Sequence, residues 1–403
     1  MRKGKSLKVV SLWASMLLLA SVLAACAESS APAANTTAPA PKPAAGATQG
    51  TGQTVPADAK STVSLTYATY TAESMFFHEN HKYWGAELEK RSGGRAKVDK
   101  WLWGGSLLKA DQMTSGIGTG MATVGYVCPS YNPANWPLMS MADAIYKFYD
   151  AGPKEYAIYK LWQDNYAPLH EEFTKNNLYP VIFDPGDETI LGGVGKPVKT
   201  LEDLKGRKIR SFGMLSDVLN SLGAVPVAMS SADIYTSLER KTIDGFTGQP
   251  AWCIDDFKYY EIISWAADPG FGDHATCATV MNLDTYKGLP DDIKKIVNDL
   301  QLDTLKRQSS TIYDRAKKAL VNAAKKNIEV YSLTDAEKAR WRQTVNPEKT
   351  LYPAWLDERE KAGAPARDWF DKLTALLPEG KKWTPYPGAA NLFSDAVKEA
   401  KGQ

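Results

Sequence analysis

Histidine and cysteine are both scarce, four of each in 403 residues, and the shortage removes whole classes of chemistry. His78 and His81, in "HENH", lack the H-E-x-x-H spacing of a zinc hydrolase, and two histidines with no third ligand nearby read as surface residues rather than as a metal site. No G-x-S-x-G elbow occurs, and nothing assembles a nucleophile with a base. "GIGTG", Gly116 to Gly120, lacks the Lys and Ser/Thr that complete a phosphate loop; a helix stop before a strand accounts for it. No internal repeat is visible, and no metal, cofactor or catalytic residue is expected. Positive charge is not in excess either. Residues 1–25 hold four of the 48 basic residues and none of the 46 acidic ones, so the remainder carries 44 basic against 46 acidic, a net of −2. A nucleic-acid partner would want a basic face.

What is present begins with an address. Arg2, Lys3, Lys5 and Lys8 form a basic region, and Val9 to Leu23 is apolar but too short and wrongly flanked for a permanent span. The stretch ends in "LAAC", Leu23 to Cys26, which resembles the lipobox of bacterial lipoproteins, with Cys26 lipidated and first in the mature chain; the plainer reading is an ordinary signal peptide with an incidental Cys. Residues 27–60 are Ala, Pro, Thr, Gly and Ser with almost no apolar bulk, so they cannot offset their chain entropy and are expected to form a disordered linker. Cys128, Cys253 and Cys277 remain. Three is an odd number, which excludes a disulfide framework; either one pair forms, Cys253 with Cys277 being the pair considered, or all three stay buried and unpaired.

The body reads as α/β. Alternation predicts strands over 63–69, 96–103 and 122–127, with helices over 77–91 and 111–117 between them; that order implies a parallel sheet covered by helices. A helical middle, 152–176, precedes strands over 179–183, 208–212 and 225–229, a helix over 214–222, a helix over 232–240 capped by Ser230 or Ser231, and a short strand over 242–247. Pro290 opens a long helix with Asp291 and Asp292 in its first turn. Trp341, Trp355 and Trp369 lie along a helical C-terminal part as core residues. About 340 residues after the linker suit two lobes: 61–186 with part of 276–330, and 187–275 with the C-terminal helices 331–403. Aromatics gather near predicted strand ends, at Tyr67, Tyr70, Trp101, Trp103, Tyr126, Tyr131, Trp252 and Phe271, and ligands of two-lobed α/β proteins sit where strands end.

One stretch asks for an explanation: "KGRKIRSFG", four cations in six residues and then an apolar turn. It lies within "TLEDLKGRKIRSFGMLSDVLNSLGAVPVAMSSADIYTSLERKTIDG", Thr200 to Gly245, which resembles the signature region of the TRAP-transporter substrate-binding proteins, the DctP-like family. "SGGRAKVDKW" earlier and "TVMNLDTYKGLPDDIKKIV" later extend the resemblance to residues 62–332. It implies a two-lobed fold of the periplasmic-binding-protein kind with a long inter-lobe helix, closing on a ligand in the cleft and delivering it to membrane permease subunits. It also implies that Arg210, the Arg of "K-I-R", meets the ligand carboxylate, a pairing a guanidinium fork makes with two parallel hydrogen bonds; the alternative is a salt bridge within its own lobe. Many members carry a second Arg before this element and an Asn after "V-D-G". Here Glu188 and Thr189 occupy the first neighbourhood and "IDGFTGQPAW" the second, so Gln249 stands in, with Trp252 nearby. The loss of a cation and gain of aromatic area point to a monocarboxylate with a flat or apolar body. Trp252, Tyr126, Trp103 and Phe271 are the expected walls, and Tyr70 and Glu73 the expected contacts from the other lobe. Competing readings are a binding protein for another transporter class or a sensor, and a surface enzyme using Glu188 and His274.

Overall fold

The computed structural model describes residues 62–274, 276–384 and 391–403; the expected signal segment, Cys26 and the linker lie outside them. Twelve strands build two sheets. They are β1 (Val63–Ala68), β2 (Ala96–Leu102), β3 (Val124–Val127), β4 (Leu178–Asp184), β5 (Asp187–Gly193), β6 (Lys208–Ser211), β7 (Val225–Ala228), β8 (Gly245–Pro250), β9 (Trp265–Asp268), β10 (Asp273–His274), β11 (Cys277–Asn282) and β12 (Glu329–Ser332). The first sheet has the order β2-β1-β3-β11-β4; the second runs β12-β9-β5-β8-β6-β7, with β10 on β5. Each sheet is the core layer of one lobe.

The expected all-parallel sheets are mixed. β1 runs parallel to β2 and β3, but β11 is antiparallel to β3 and β4. β6 runs parallel to β7 and β8, but β5 is antiparallel to β8 and β9. The reason is the crossings. The chain leaves the first lobe through Pro185 and Gly186, between β4 and β5, and returns between β10 and β11. Each crossing delivers a strand that enters its sheet from the other lobe. The two crossings flank one another, with His274 opposite Asp187 and Cys277 opposite Asp184, so the hinge is a two-stranded ribbon.

Local chemistry sets the element ends. The helix His78–Arg91 carries Glu79 in its first turn and Lys90 and Arg91 in its last, which complements its dipole. It stops at Gly93 and Gly94, both at positive φ. Ser230 caps the next helical turn by accepting from the Ala232 amide at 3.3 Å. The helix Asp291–Lys325 has 35 residues, about 52 Å at 1.5 Å per residue. Gln301 and Gln308 on it donate to the carbonyls of Pro180 (2.7 Å) and Pro185 (2.9 Å), and Asn322 donates to Asp255 of the second lobe (2.8 Å). It therefore spans the two lobes.

The C-terminal helices do not stay with the second lobe as expected. Asp335–Val345 packs on Met214–Ser221 there, but Ala366–Trp383 crosses to the first-lobe helix Ala151–Gln163, and Leu392–Ala400 lies along the long helix. The close approach needs Gly380: a Cβ there would stand 2.5 Å from the Pro153 carbonyl oxygen. Trp341 and Trp369 are buried, whereas Trp355 is half-buried and donates to Asp217 at 2.7 Å.

One pair of cysteines forms, as one expectation had it, but not the pair considered. Cys128 and Cys277 form a disulfide, and Cys253 is free and buried. β11 lies against β3 with Ala278 opposite Val127, which places the next pair, Cys277 and Cys128, side by side. Cys253 belongs to the second lobe.

Candidate functional site

Between the lobes, against the hinge ribbon, lies a narrow chamber of about 50 Å³. Its first-lobe wall is aromatic: Phe77 stacks on Tyr126 at 4.7 Å, and Tyr70 on Tyr126 at 6.0 Å. Its second-lobe wall includes Phe212, Gln249 and Trp252; Asp184, His274 and Gln308 line it at the hinge and the long helix. Tyr131 from the first lobe lies flat over Phe212 from the second, ring centres 4.9 Å apart. These two rings and Tyr70 also border a wider outer groove that includes Lys109 and Asp233, so they stand between chamber and groove.

Arg210 extends from β6 and is fully buried. Its Nε donates to the Met229 carbonyl at 3.0 Å, Nη1 to the carbonyls of Thr247 (3.1 Å) and Gly248 (3.3 Å), and Nη2 to the Tyr131 hydroxyl at 3.1 Å. The guanidinium carbon sits 4.6 Å from the centre of the Phe212 ring. Arg210 thus lies directly behind Phe212, Gly248 and Tyr131, three residues that line the chamber. Gly248 is required at its place: its φ is +72°, and a Cβ would meet Phe212 at 2.9 Å. The own-lobe salt bridge does not form; among the described residues no ion pair joins Arg210 to a carboxylate. A buried cation held only by neutral oxygens is costly unless a counter-charge completes it.

Of the eight residues expected at the site, Tyr70, Tyr126, Gln249 and Trp252 line the chamber, and Arg210 abuts it. Three do not line it. Phe271 sits between Gly270 and Gly272, both at positive φ; its ring packs on Tyr146 (5.6 Å) and Trp341 (5.9 Å) in the core behind the hinge. Trp103, just past β2, stacks on Trp101 at 5.4 Å and against His78 at 4.6 Å, one layer behind the wall. Glu73 is exposed and ion-paired to Lys82 at 2.7 Å. Gln249 donates to the Gly248 carbonyl at 2.8 Å.

His78 and His81 are not surface residues. Both are buried, joined Nδ1 to Nδ1 at 3.1 Å, with the Tyr67 hydroxyl 2.6 Å from His81 Nδ1. His81 Nε2 contacts Asp184 Oδ1 at 2.9 Å, and the Thr279 hydroxyl donates to Oδ2 at 2.8 Å. Burial first, then His81 and Lys82, hold His78 well below the usual histidine range. Among the described residues no cluster of His, Cys, Asp and Glu could hold a metal ion. Burial holds His274 down at about 4, and its two ring nitrogens have no hydrogen-bond partner among the described residues. Behind it, Asp143 accepts from the Thr276 amide at 2.5 Å, and Lys154 pairs with Asp273 at 2.6 Å, all buried. Glu188 lies on the other side of the hinge, in a groove with Tyr149 and Asp150, so it cannot partner His274. Burial pushes the Cys253 thiol well up, away from reactivity.

The family model for the bacterial extracellular solute-binding proteins, family 7 (DctP), matches residues 67–352. The chain belongs to this family. As a family 7 protein it is a TRAP-type solute-binding protein, a receptor and not an enzyme, acting outside the cytoplasm with a membrane permease. No helix among the described residues is long and apolar enough to cross a membrane. Similar proteins include the outer membrane transporter protein TsaT of Comamonas testosteroni, 23% identical over 72% of this chain and 84% of the relative. The C4-dicarboxylate-binding periplasmic protein DctP of Rhodobacter capsulatus is 26% identical over 38% of this chain and 46% of the relative. A TRAP solute-binding protein of Rhodoferax ferrireducens, solved with copurified benzoate, shares the fold with a TM-score of 0.72 at 22% identity, over 80% of this chain and 99% of that one.

Phe77, Asp184, Phe212 and Gln308 escaped the sequence reading. Phe77 and Gln308 sit on helices whose chamber-facing side shows only after packing. Asp184 carried a signal, a strand end before Pro-Gly, but Pro-Gly marks any turn.

Proposed function

We propose that the chamber takes an organic acid with one carboxylate on a flat or apolar body, and that Arg210 binds the carboxylate. The observation that carries this reading is the buried Arg210 guanidinium, which has no carboxylate partner among the described residues. Three carbonyl contacts and Tyr131 use four of its five N–H groups, which leaves one on Nη2 beside the Tyr131 hydroxyl. A ligand carboxylate there gains a charge-assisted bond in a site shielded from water. The aromatic wall of Tyr70, Phe77 and Tyr126, with Trp252 and Phe212 across from it, suits a flat body. The benzoate seen in the Rhodoferax ferrireducens protein belongs to the same chemical class. Gln249 is the polar partner from the second lobe.

Cys26 carries the lipid that tethers the receptor outside the membrane, with residues 27–60 as spacer and residues 1–25 as the signal removed. Cys26→Ser moving the protein into the aqueous phase of a detergent partition supports the anchor; unchanged partitioning sinks it.

The test of the ligand class is calorimetric titration of benzoate and related acids into wild type, Arg210→Lys and Arg210→Ala. The expected loss for Arg210→Ala is roughly 30-fold or more, since removing one partner of a buried charge pair costs about 2–5 kcal/mol. Arg210→Lys keeps charge but loses the fork and falls between. Unchanged affinity in Arg210→Ala defeats the assignment.

A further inference from the structure

The chamber has two chemically different sides. Arg210 stands behind its second-lobe wall. At the hinge, where β4 leaves the first lobe, a carboxylate lines it: Asp184, 2% exposed. Its partners are His81 at 2.9 Å and Thr279 at 2.8 Å, one to each oxygen. A carboxylate has about four lone-pair sites, so two acceptor positions remain. Among the described residues no Lys or Arg pairs with Asp184. The Gln308 amide accepts from Asn80 and donates one N–H to the Pro185 carbonyl, both at 2.9 Å. The Thr71 hydroxyl is bonded to Thr69 and His78.

We infer that Asp184 is a second specificity determinant, and that the ligand is an acid with one carboxylate and, on the far side of its body, a neutral hydrogen-bond donor such as a hydroxyl or N–H. This rests on the reading of Arg210 as the carboxylate anchor. The donor reaches an open lone pair of Asp184. A dicarboxylate of the same length is rejected, because its second charge faces a like charge where water is scarce and screening is weak. The same chamber therefore separates this receptor from C4-dicarboxylate binders in its family.

The experiment is a calorimetric comparison, in wild type, of 3-hydroxybenzoate, 3-methoxybenzoate, benzoate and benzene-1,3-dicarboxylate, with 4-hydroxybutanoate and succinate for a slimmer body. The hydroxy acid is expected to bind about tenfold tighter than its donor-less counterparts, and the dicarboxylate at least about 100-fold weaker than the hydroxy acid. Asp184→Asn, checked for folding by its melting transition, is expected to narrow both gaps. The wild-type comparison stands alone if that variant does not fold. Dicarboxylates binding as tightly as hydroxy acids overturn the inference, as does the absence of binding by every donor-bearing acid, or an unchanged order in folded Asp184→Asn. If Arg210→Ala retains full affinity, the carboxylate reading itself fails; if Arg210→Ala loses binding while the ligand order contradicts expectation, only the role of Asp184 fails.

Discussion

The Arg210 guanidinium donates to the Tyr131 hydroxyl at 3.1 Å, and that bond joins the second lobe to the first. The same oxygen accepts from the Ser231 amide at 3.2 Å. Both phenol lone pairs are then used, and the hydroxyl proton is left to donate. Beside it is the remaining N–H of Arg210. A carboxylate placed against these two donors binds both lobes at once, which couples binding to closure.

Tyr131→Phe keeps the ring that stacks on Phe212 and removes only the oxygen. Affinity for the acid is expected to fall about tenfold, with the melting temperature of the free protein little changed, because one hydrogen-bonded group is worth about 0.5–1.5 kcal/mol. Titration calorimetry measures the affinity, and small-angle scattering of the liganded form reads closure, expected to be less complete. Wild-type affinity and closure in Tyr131→Phe would remove Tyr131 from the site.

His274 makes stability depend on pH. Burial holds its imidazole at about 4, below the usual 6.5, so the unfolded chain takes up the proton first as pH falls. The stability it contributes is present above about 6.5 and is lost as pH drops from there to about 4, by up to roughly 3 kcal/mol. Asp273, pushed up by burial to about 6, works in the opposite direction over an overlapping range. The difference between wild type and His274→Gln isolates the histidine. Denaturant titrations at pH 7 and pH 5 are expected to show wild type losing ground to the variant on acidification; parallel pH profiles contradict this.

The disulfide ties the end of β3 to the returning hinge strand across 149 residues of chain. Reduction, or Cys128→Ser, is expected to lower stability by about 2–4 kcal/mol. Thiol titration of the body from Ala59 onward should find no reactive thiol in the folded state and one, Cys253, after unfolding. Three titrating thiols would show the bridge absent.

Gly380→Ala places a methyl carbon 2.5 Å from the Pro153 carbonyl oxygen, where the neighbour is backbone and cannot swing aside. The helices Ala366–Trp383 and Ala151–Gln163 must then separate, at a cost of about 1–3 kcal/mol. A melting curve unchanged from wild type would mean that the C-terminal helix is not docked there.

The α/β character, most strands and helices to within a residue or two, the long helix from Pro290 onward, and Arg210 as a candidate anion partner are legible in the sequence. These follow from local information: alternation, helical spacing, caps and an ordered motif. Sequence patterns alone missed β5, β9, β10, β11 and β12, whose residues "DETILGG", "WAAD", "DH", "CATVMN" and "EVYS" lack alternation because both faces are covered or the strand is short. Tertiary packing settled which cysteines meet, because β11 finds β3 through the return crossing. It also decided which aromatics line the chamber. Phe271 and Trp252 look equivalent along the chain, yet one turns into the core between two glycines and the other lines the chamber. The buried histidine pair and the carboxylate of Asp184 meet only when helix, strand and hinge pack together, and polarity of this kind leaves no periodic mark in a sequence.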